Sequence, residues 1–188
     1  METWMHSKEK KLITDCLNNN MTMLEWGSGG STLEFSSLVE KYYSIEHNKE
    51  WYDIISIKLK DYPLNDVTYK FVKQNQPNPD DRQSEYDMFK DYIDIVDTFN
   101  EKFDIVLIDG RARRLCAKKI IPHLKSTSII FIHDYIARKE VYGCVEDYYE
   151  LLDSINDTTQ TIGKFKLRNK PKQPGYDLTL SGFDRIGN

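Results

Sequence analysis

At 188 residues the chain is long enough to bury one core but too short for a nucleotide domain plus a full substrate domain, so it reads as a single domain over 1–188. Its 26 basic and 30 acidic residues leave a formal charge of −4, which gives no global basic field for nucleic acid, and no apolar run approaches the ~20 residues of a membrane span. Three widely spaced cysteines, Cys16, Cys116 and Cys144, with no C-x-x-C pair, fit a soluble protein of a reducing, cytoplasmic compartment.

The first element is an N-terminal helix within 1–20, capped by Ser7, running to about Leu17 and broken by Asn18, Asn19 and Asn20. Thr22 to Trp26 reads as a strand that enters a glycine turn, Gly27, Ser28, Gly29, Gly30. Beyond it Phe35, Leu38, Val39 and Tyr42 recur at helical spacing. Tyr42 to Glu46 is a second short strand, and Asn48 to Lys60 a helix with Trp51, Ile54, Ile55 and Leu59 inward. Val67 to Val72 is rich in β-formers, and the segment 73–86, with Pro77 and Pro79, reads as a loop and a candidate lid. A helix is expected over Ser84 to Phe99.

Phe103 to Ile108 is a nearly continuous apolar strand, as a parallel sheet covered on both faces requires, and Asp109 and Gly110 end it. Ala112, Leu115, Cys116 and Ile120 make a helical stripe, Ser128 to Ile132 another buried strand ending at His133 and Asp134, and Val141, Val145, Tyr148 and Leu152 a last helix. Thr161 to Leu167 and Tyr176 to Ser181 are strand-like, suggesting a closing hairpin over 159–183. Strands alternating with helices point to an α/β, Rossmann-like three-layer sandwich, in which ligands sit beyond the carboxyl ends of the strands.

At the first such end, glycines let the chain reverse tightly and present N–H groups at a helix start. Glu46, 19 residues after Gly27, is placed to accept from two ribose hydroxyls. Thr32 stands where a dinucleotide fingerprint has its third small residue, and Glu25 is a poor neighbour for a pyrophosphate but a natural partner for an ammonium. The cofactor that fits is S-adenosylmethionine. The run Glu25, Trp26, Gly27, Ser28, Gly29, Gly30, Ser31, with Glu46, His47 and Asn48, resembles the class I S-adenosylmethionine-dependent methyltransferases over roughly residues 7 to 183. The resemblance implies a mainly parallel seven-stranded sheet with an antiparallel C-terminal hairpin. It also implies that Gly27 to Ser31 lie under the amino acid portion of the cofactor, that Glu46 holds the ribose, and that Gln74 or Asn75 approach adenine.

At the fourth and fifth strand ends the fold gathers Asp109, Gly110, Arg111 and His133, Asp134, Tyr135. Asp109 and Asp134 offer hard oxygens for Mg²⁺ or Mn²⁺, and His133 is either a general base near neutrality or itself a ligand. This pattern is similar to the metal-dependent sugar and natural-product O-methyltransferases, including the macrocin type, except that His133 replaces the first acid of the second pair. Arg111, on one helical face with Arg114 and apart from Arg113, is the first candidate to meet an anionic part of the substrate. Tyr135, Arg138 and Tyr142 are further candidate contacts. The reading is methyl transfer to a hydroxyl of a sugar, glycan or related small molecule. Its alternatives are a nucleic-acid methyltransferase, resting on the bases of 111–125 and 164–172, a non-catalytic cofactor-binding module, and a nicotinamide oxidoreductase.

Overall fold

The computed structural model describes residues 5–61, 66–75, 85–157 and 161–170. Seven strands form one sheet: β1 (Thr22–Trp26), β2 (Lys41–Glu46), β3 (Asp66–Phe71), β4 (Phe103–Ile108), β5 (Leu124–His133), β6 (Tyr149–Asn156) and β7 (Thr161–Leu167), in the order β3-β2-β1-β4-β5-β7-β6. The first five run parallel; β7 inserts antiparallel to β5, and β6 pairs antiparallel with β7 at the edge. Among the described residues six α-helices, α1 (Ser7–Thr14), α2 (Gly30–Phe35), α3 (Lys49–Leu59), α4 (Glu85–Asp94), α5 (Arg113–Lys119) and α6 (Lys139–Tyr142), cover the two faces. The sheet therefore buries both sides. Trp26, Val106, Ile108 and Phe165 pack with α4 and α5 on one, while Met23, Tyr42, Leu107 and Phe131 pack with Ile13 of α1 and Phe35 of α2 on the other. No helix among the described residues is long and apolar enough to cross a membrane.

The α/β sandwich and its antiparallel end are as the sequence predicts, but the hairpin lies one element earlier. Both edges of β7 are occupied, by β5 and β6, so Thr161–Leu167 has no edge left for the expected partner Tyr176–Ser181, which lies outside the described residues. β6 occupies the second half of the expected helix through Leu152. Val145 and Tyr148 do face the core, yet the chain turns through a short 3-10 segment, and Tyr149 to Asn156 takes the open edge of β7. Pairing to a neighbouring strand overrides a helical spacing that Gly143 already weakens. The helix expected to Phe99 kinks at Phe89 and gives way to a 3-10 turn after Asp94. Most of the 73–86 segment also lies outside the described residues.

From β1 the chain steps to β2 and β3 on one side and then crosses back to β4 on the other, and this reversal opens a crevice beyond the strand ends. All the chemistry-bearing turns meet there.

Candidate active site

Gly27 and Gly110, the turn residues after β1 and β4, press backbone on backbone. Gly27 has φ +93°, and a Cβ on it would stand 2.5 Å from Gly110 N; one on Gly110 would overlap the Tyr92 hydroxyl at 2.0 Å. Both positions require glycine. Gly29 is different, since it is extended and a Cβ there would make ordinary contacts.

Glu25 anchors the glycine turn from behind. It is fully buried, and its oxygens accept from the Ser31 hydroxyl, from Thr32 Oγ1 at 2.5 Å and from Ser44 Oγ at 3.0 Å. Thr32 in turn accepts from Gly29 N at 2.9 Å, so its hydroxyl ties the turn to the carboxyl. Burial is the dominant influence on this acid and lifts its pKa to about 7 against the lowering effect of those hydroxyls. The ammonium contact expected of Glu25 is not made available: it does not line the cavity.

Glu46 does line it. Its Oε2 accepts from Ser28 N at 2.9 Å and Ser28 Oγ at 3.1 Å, and its Oε1 from His47 N at 2.8 Å and Asn48 N at 2.7 Å. Burial opposes its charge, but the His47 ring at 3.0 Å and these N–H groups outweigh that, holding the carboxyl below its ordinary range. Trp51 Nε1 donates to Ser28 O and Tyr69 Oη lies 2.6 Å from Ser28 Oγ, which fixes the turn over α3 and β3. The resulting cavity, about 770 Å³, has Gly27 to Ser31, Glu46 and His47 at one end and Asp109, Arg111, His133, Asp134, Arg138 and Tyr142 at the other.

Asn75 is absent from its lining. Its side chain accepts from Asp91 N at 3.0 Å, bracing α4, and only Gln74 reaches a smaller neighbouring cavity beside His47 and Phe71. Tyr135 is likewise withdrawn: fully buried, it sets its ring edge-on to Phe165 and donates its hydroxyl to Glu146.

At the far end His133 stands between two carboxylates. Its Nδ1 is 3.0 Å from Asp109 Oδ1, and its Nε2 is 3.5 Å from Oε1 of Glu9, a fully buried acid of α1. Burial alone would lower the imidazole pKa; the Asp109 carboxylate at Nδ1 and the Glu9 carboxylate beyond Nε2 overturn this and raise it to about 10. That shift favours the imidazolium, whose ring has no lone pair free to accept a proton, so it counts against the general-base role expected of His133. Glu9 is the site residue that sequence reading missed. The one trace of it is its place three residues after His6, whose N–H it accepts at 2.9 Å in a capping box. The actual cap is thus His6 rather than Ser7.

Arg113, not Arg111, organises the strand ends. It donates to Gly110 O at 3.0 Å, Asp109 O at 2.9 Å, His133 O and Asp134 Oδ2 at 3.0 Å, and its Nη2 lies 3.3 Å from Asp109 Oδ1. The face argument for Arg111 and Arg114 fails because α5 starts at Arg113, after Ala112 in the left-handed region at φ 51°; Arg111 lies in the turn, exposed, while Arg114 pairs with Glu85 at 3.1 Å. Asp134 is also left-handed, at φ 59°, a conformation aspartate tolerates.

The divalent-ion site expected at Asp109 and Asp134 does not fit this arrangement. The oxygens that would coordinate the ion already face the Arg113 guanidinium and the His133 ring, and among the described residues no group of three or more His, Cys, Asp or Glu is placed to hold a metal.

No protein-family model and no curated protein matches the chain. Among solved structures it is similar to a methyltransferase-like protein of Silicibacter pomeroyi, with TM-score 0.65 and 23% identity over 93% of this chain and 92% of that one. It is also similar to a putative methyltransferase of Streptococcus mutans in complex with SAH, with TM-score 0.63 and 15% identity over 87% of this chain and 100% of that one. A third is a precorrin 8w decarboxylase of Methanobacterium thermoautotrophicum, with TM-score 0.65 and 16% identity over 86% and 90%. These likenesses show the fold.

Proposed function

We propose that the chain is an S-adenosylmethionine-dependent methyltransferase acting on a hydroxyl of a sugar, glycan or related small molecule. The observation that carries this is the backbone contact of Gly27 with Gly110, which leaves a cavity at the reversal of strand order with the Glu46 carboxylate at its rim. A side chain on either glycine would collide with the facing turn or with Tyr92 and push apart the two turns that line the cavity, and Glu46 is a charged acceptor suited to ribose hydroxyls, so the residues present fit this cofactor. Solved structures of like fold include one holding its demethylated product.

When bound, the cofactor supplies an electrophilic methyl group on a sulfonium. The remaining work is alignment, which in oriented reactions accounts for a large share of the barrier. Asp109 and Asp134, both lining the cavity and both fixed by Arg113, accept from acceptor hydroxyls and hold one in line with the methyl carbon. With the cofactor bound, methyl transfer to an acceptor hydroxyl would release the hydroxyl proton, and Asp109 would take it, since His133 is held towards its charged form. The exposed guanidiniums of Arg111 and Arg138 flank the acceptor.

Calorimetry with S-adenosylhomocysteine, S-adenosylmethionine and NAD tests the reading. One-to-one binding of the first two is expected, weakened at least roughly tenfold, a loss of about 1.4 kcal/mol, in Glu46→Ala. Binding of NAD alone sinks it.

A further inference from the structure

The cluster at the acceptor end contains a charge arrangement that a metal-dependent site would not need. A carboxylate on each side of an imidazole requires a donor on each ring nitrogen, and only the imidazolium has two. His133 has Asp109 Oδ1 3.0 Å and Asp134 Oδ1 3.5 Å from Nδ1, and Glu9 Oε1 3.5 Å from Nε2; neither Nε2 nor that Glu9 oxygen makes a hydrogen bond among the described residues, so the two buried atoms face each other as an ion pair. Glu9 enters from α1, Asp109 from the end of β4, His133 and Asp134 from the end of β5, and Arg113 from α5; these are the titratable groups facing the ring. Glu9 is fully buried on a helix that is otherwise rich in exposed lysines, and its Oε1 has His133 Nε2 as its nearest cationic partner. An uncompensated buried carboxylate is costly, so its retention there calls for a cation.

We infer that Arg113 and His133 together supply, from protein, the positive charge that a divalent ion would bring to Asp109 and Asp134, and that Glu9 is the positioning residue that holds His133 in that role. The two strand ends are then joined by a closed ring of four side chains, His133, Asp109, Arg113 and Asp134, with Glu9 attached to it at His133 Nε2. Helix α1 becomes part of the acceptor end rather than a cover for the sheet.

The test needs no methyl donor, so its failure is separable from failure of the methyltransferase reading. Electron paramagnetic resonance of Mn²⁺ titrated into the protein at neutral pH is expected to show only the free ion with the native chain. His133→Asp combined with Arg113→Gln removes both protein cations and adds a third carboxylate. It is expected to bind Mn²⁺ at least roughly tenfold more tightly than the native chain, the scale on which surrounding groups tune metal affinity, and to lose that binding again when Asp109→Asn is added. Should the pair not fold, His133→Asp alone is read in the same way. Glu9→Gln, which keeps the shape, is expected to move the His133 ring ¹⁵N signals towards the neutral form while leaving S-adenosylhomocysteine affinity unchanged, a response that packing by itself would not give. Mn²⁺ bound by the native chain and lost in Asp134→Asn overturns the inference. So does a folded His133→Asp variant with no gain in Mn²⁺ binding, or a ring spectrum that Glu9→Gln leaves unmoved.

Discussion

The two ends of the cavity solve the same problem, a buried carboxylate, by opposite means. At the cofactor end Glu25 and Glu46 are met mainly by neutral donors, the hydroxyls of Ser31, Thr32 and Ser44 and the N–H groups of Ser28, His47 and Asn48, with the His47 ring 3.0 Å from Glu46. At the acceptor end Glu9, Asp109 and Asp134 are met by charges, from His133 and Arg113, the groups being brought together from four separate elements. Neutral donors allow one acid to ride up towards neutrality while the other stays ionised; cations fix charge in place. The first end is built from local backbone geometry, and the second depends on tertiary assembly.

The largest expected effect tests that dependence. Arg113→Ala leaves two carboxylates and three carbonyl oxygens without their donor, and removing one partner of a buried ion pair typically costs about 3–5 kcal/mol. A guanidinium with only 12% of its side chain exposed belongs in that class. Denaturant unfolding is expected to show a loss near the lower figure, and an unchanged midpoint would mean that the strand ends hold without it. Gly27→Ala is the counterpart at the cofactor end. Left-handed strain alone costs about 1–3 kcal/mol, and the new Cβ would meet Gly110 backbone that has nowhere to move. A smaller loss of stability than for Arg113→Ala is expected, together with loss of S-adenosylhomocysteine binding, because the floor of the cavity shifts.

This contrast also decides how much was legible in the sequence. The glycine turn, Glu46 and the strand ends at Asp109, His133 and Asp134 are marked by short-range pattern: an apolar strand, a turn residue, a polar group. The role of Glu25 was misread because a strand residue before a turn gives no sign of which face its side chain takes; Ser31, Thr32 and Ser44 drew it beneath the turn. Glu9 was invisible because its partner lies 124 residues away and nothing in α1 distinguishes it from a solvated acid. The same holds for Arg113, whose helix begins two residues later than spacing suggested, and for β6, whose strand state is decided by the free edge of β7.

The two ends also separate by pH. Glu25 has a folded pKa of about 7, raised above its unfolded value, so its contribution is complete below about pH 4.5 and lost as pH rises through 7. At one pKa unit per ~1.4 kcal/mol, replacing it by Gln is expected to remove a pH dependence on the order of 3 kcal/mol across that window. His133 is also raised, to about 10, so its contribution is complete below about pH 6.5 and lost only as pH climbs through 10. The stability gap between the native chain and His133→Gln is therefore expected to hold steady across neutrality and close in alkali, while that of Glu25→Gln changes sign or shrinks in mild acid to neutral solution. Urea melts at a series of pH values check both, and coincident windows would remove the distinction drawn between the ends.

The smallest effect is the sharpest test of which cations at the acceptor end are structural. Arg138 leaves 60% of its side chain exposed and approaches Asp134 only to 4.0 Å, against 3.0 Å for Arg113 on the same carboxylate oxygen. Exposed pairs of that kind contribute about 0–1 kcal/mol, and surface replacements usually fall within about 0.5 kcal/mol. Arg138→Ala is thus expected to leave thermal and denaturant midpoints where they are, even though the residue lines the same cavity. If instead it destabilises as Arg113→Ala does, Asp134 relies on both guanidiniums and Arg138 belongs with the ring of His133, Asp109, Arg113 and Asp134. If it does not, Arg138 is held in reserve for whatever enters the cavity, and its removal should raise the KM for a bound acceptor without altering affinity for the methyl donor.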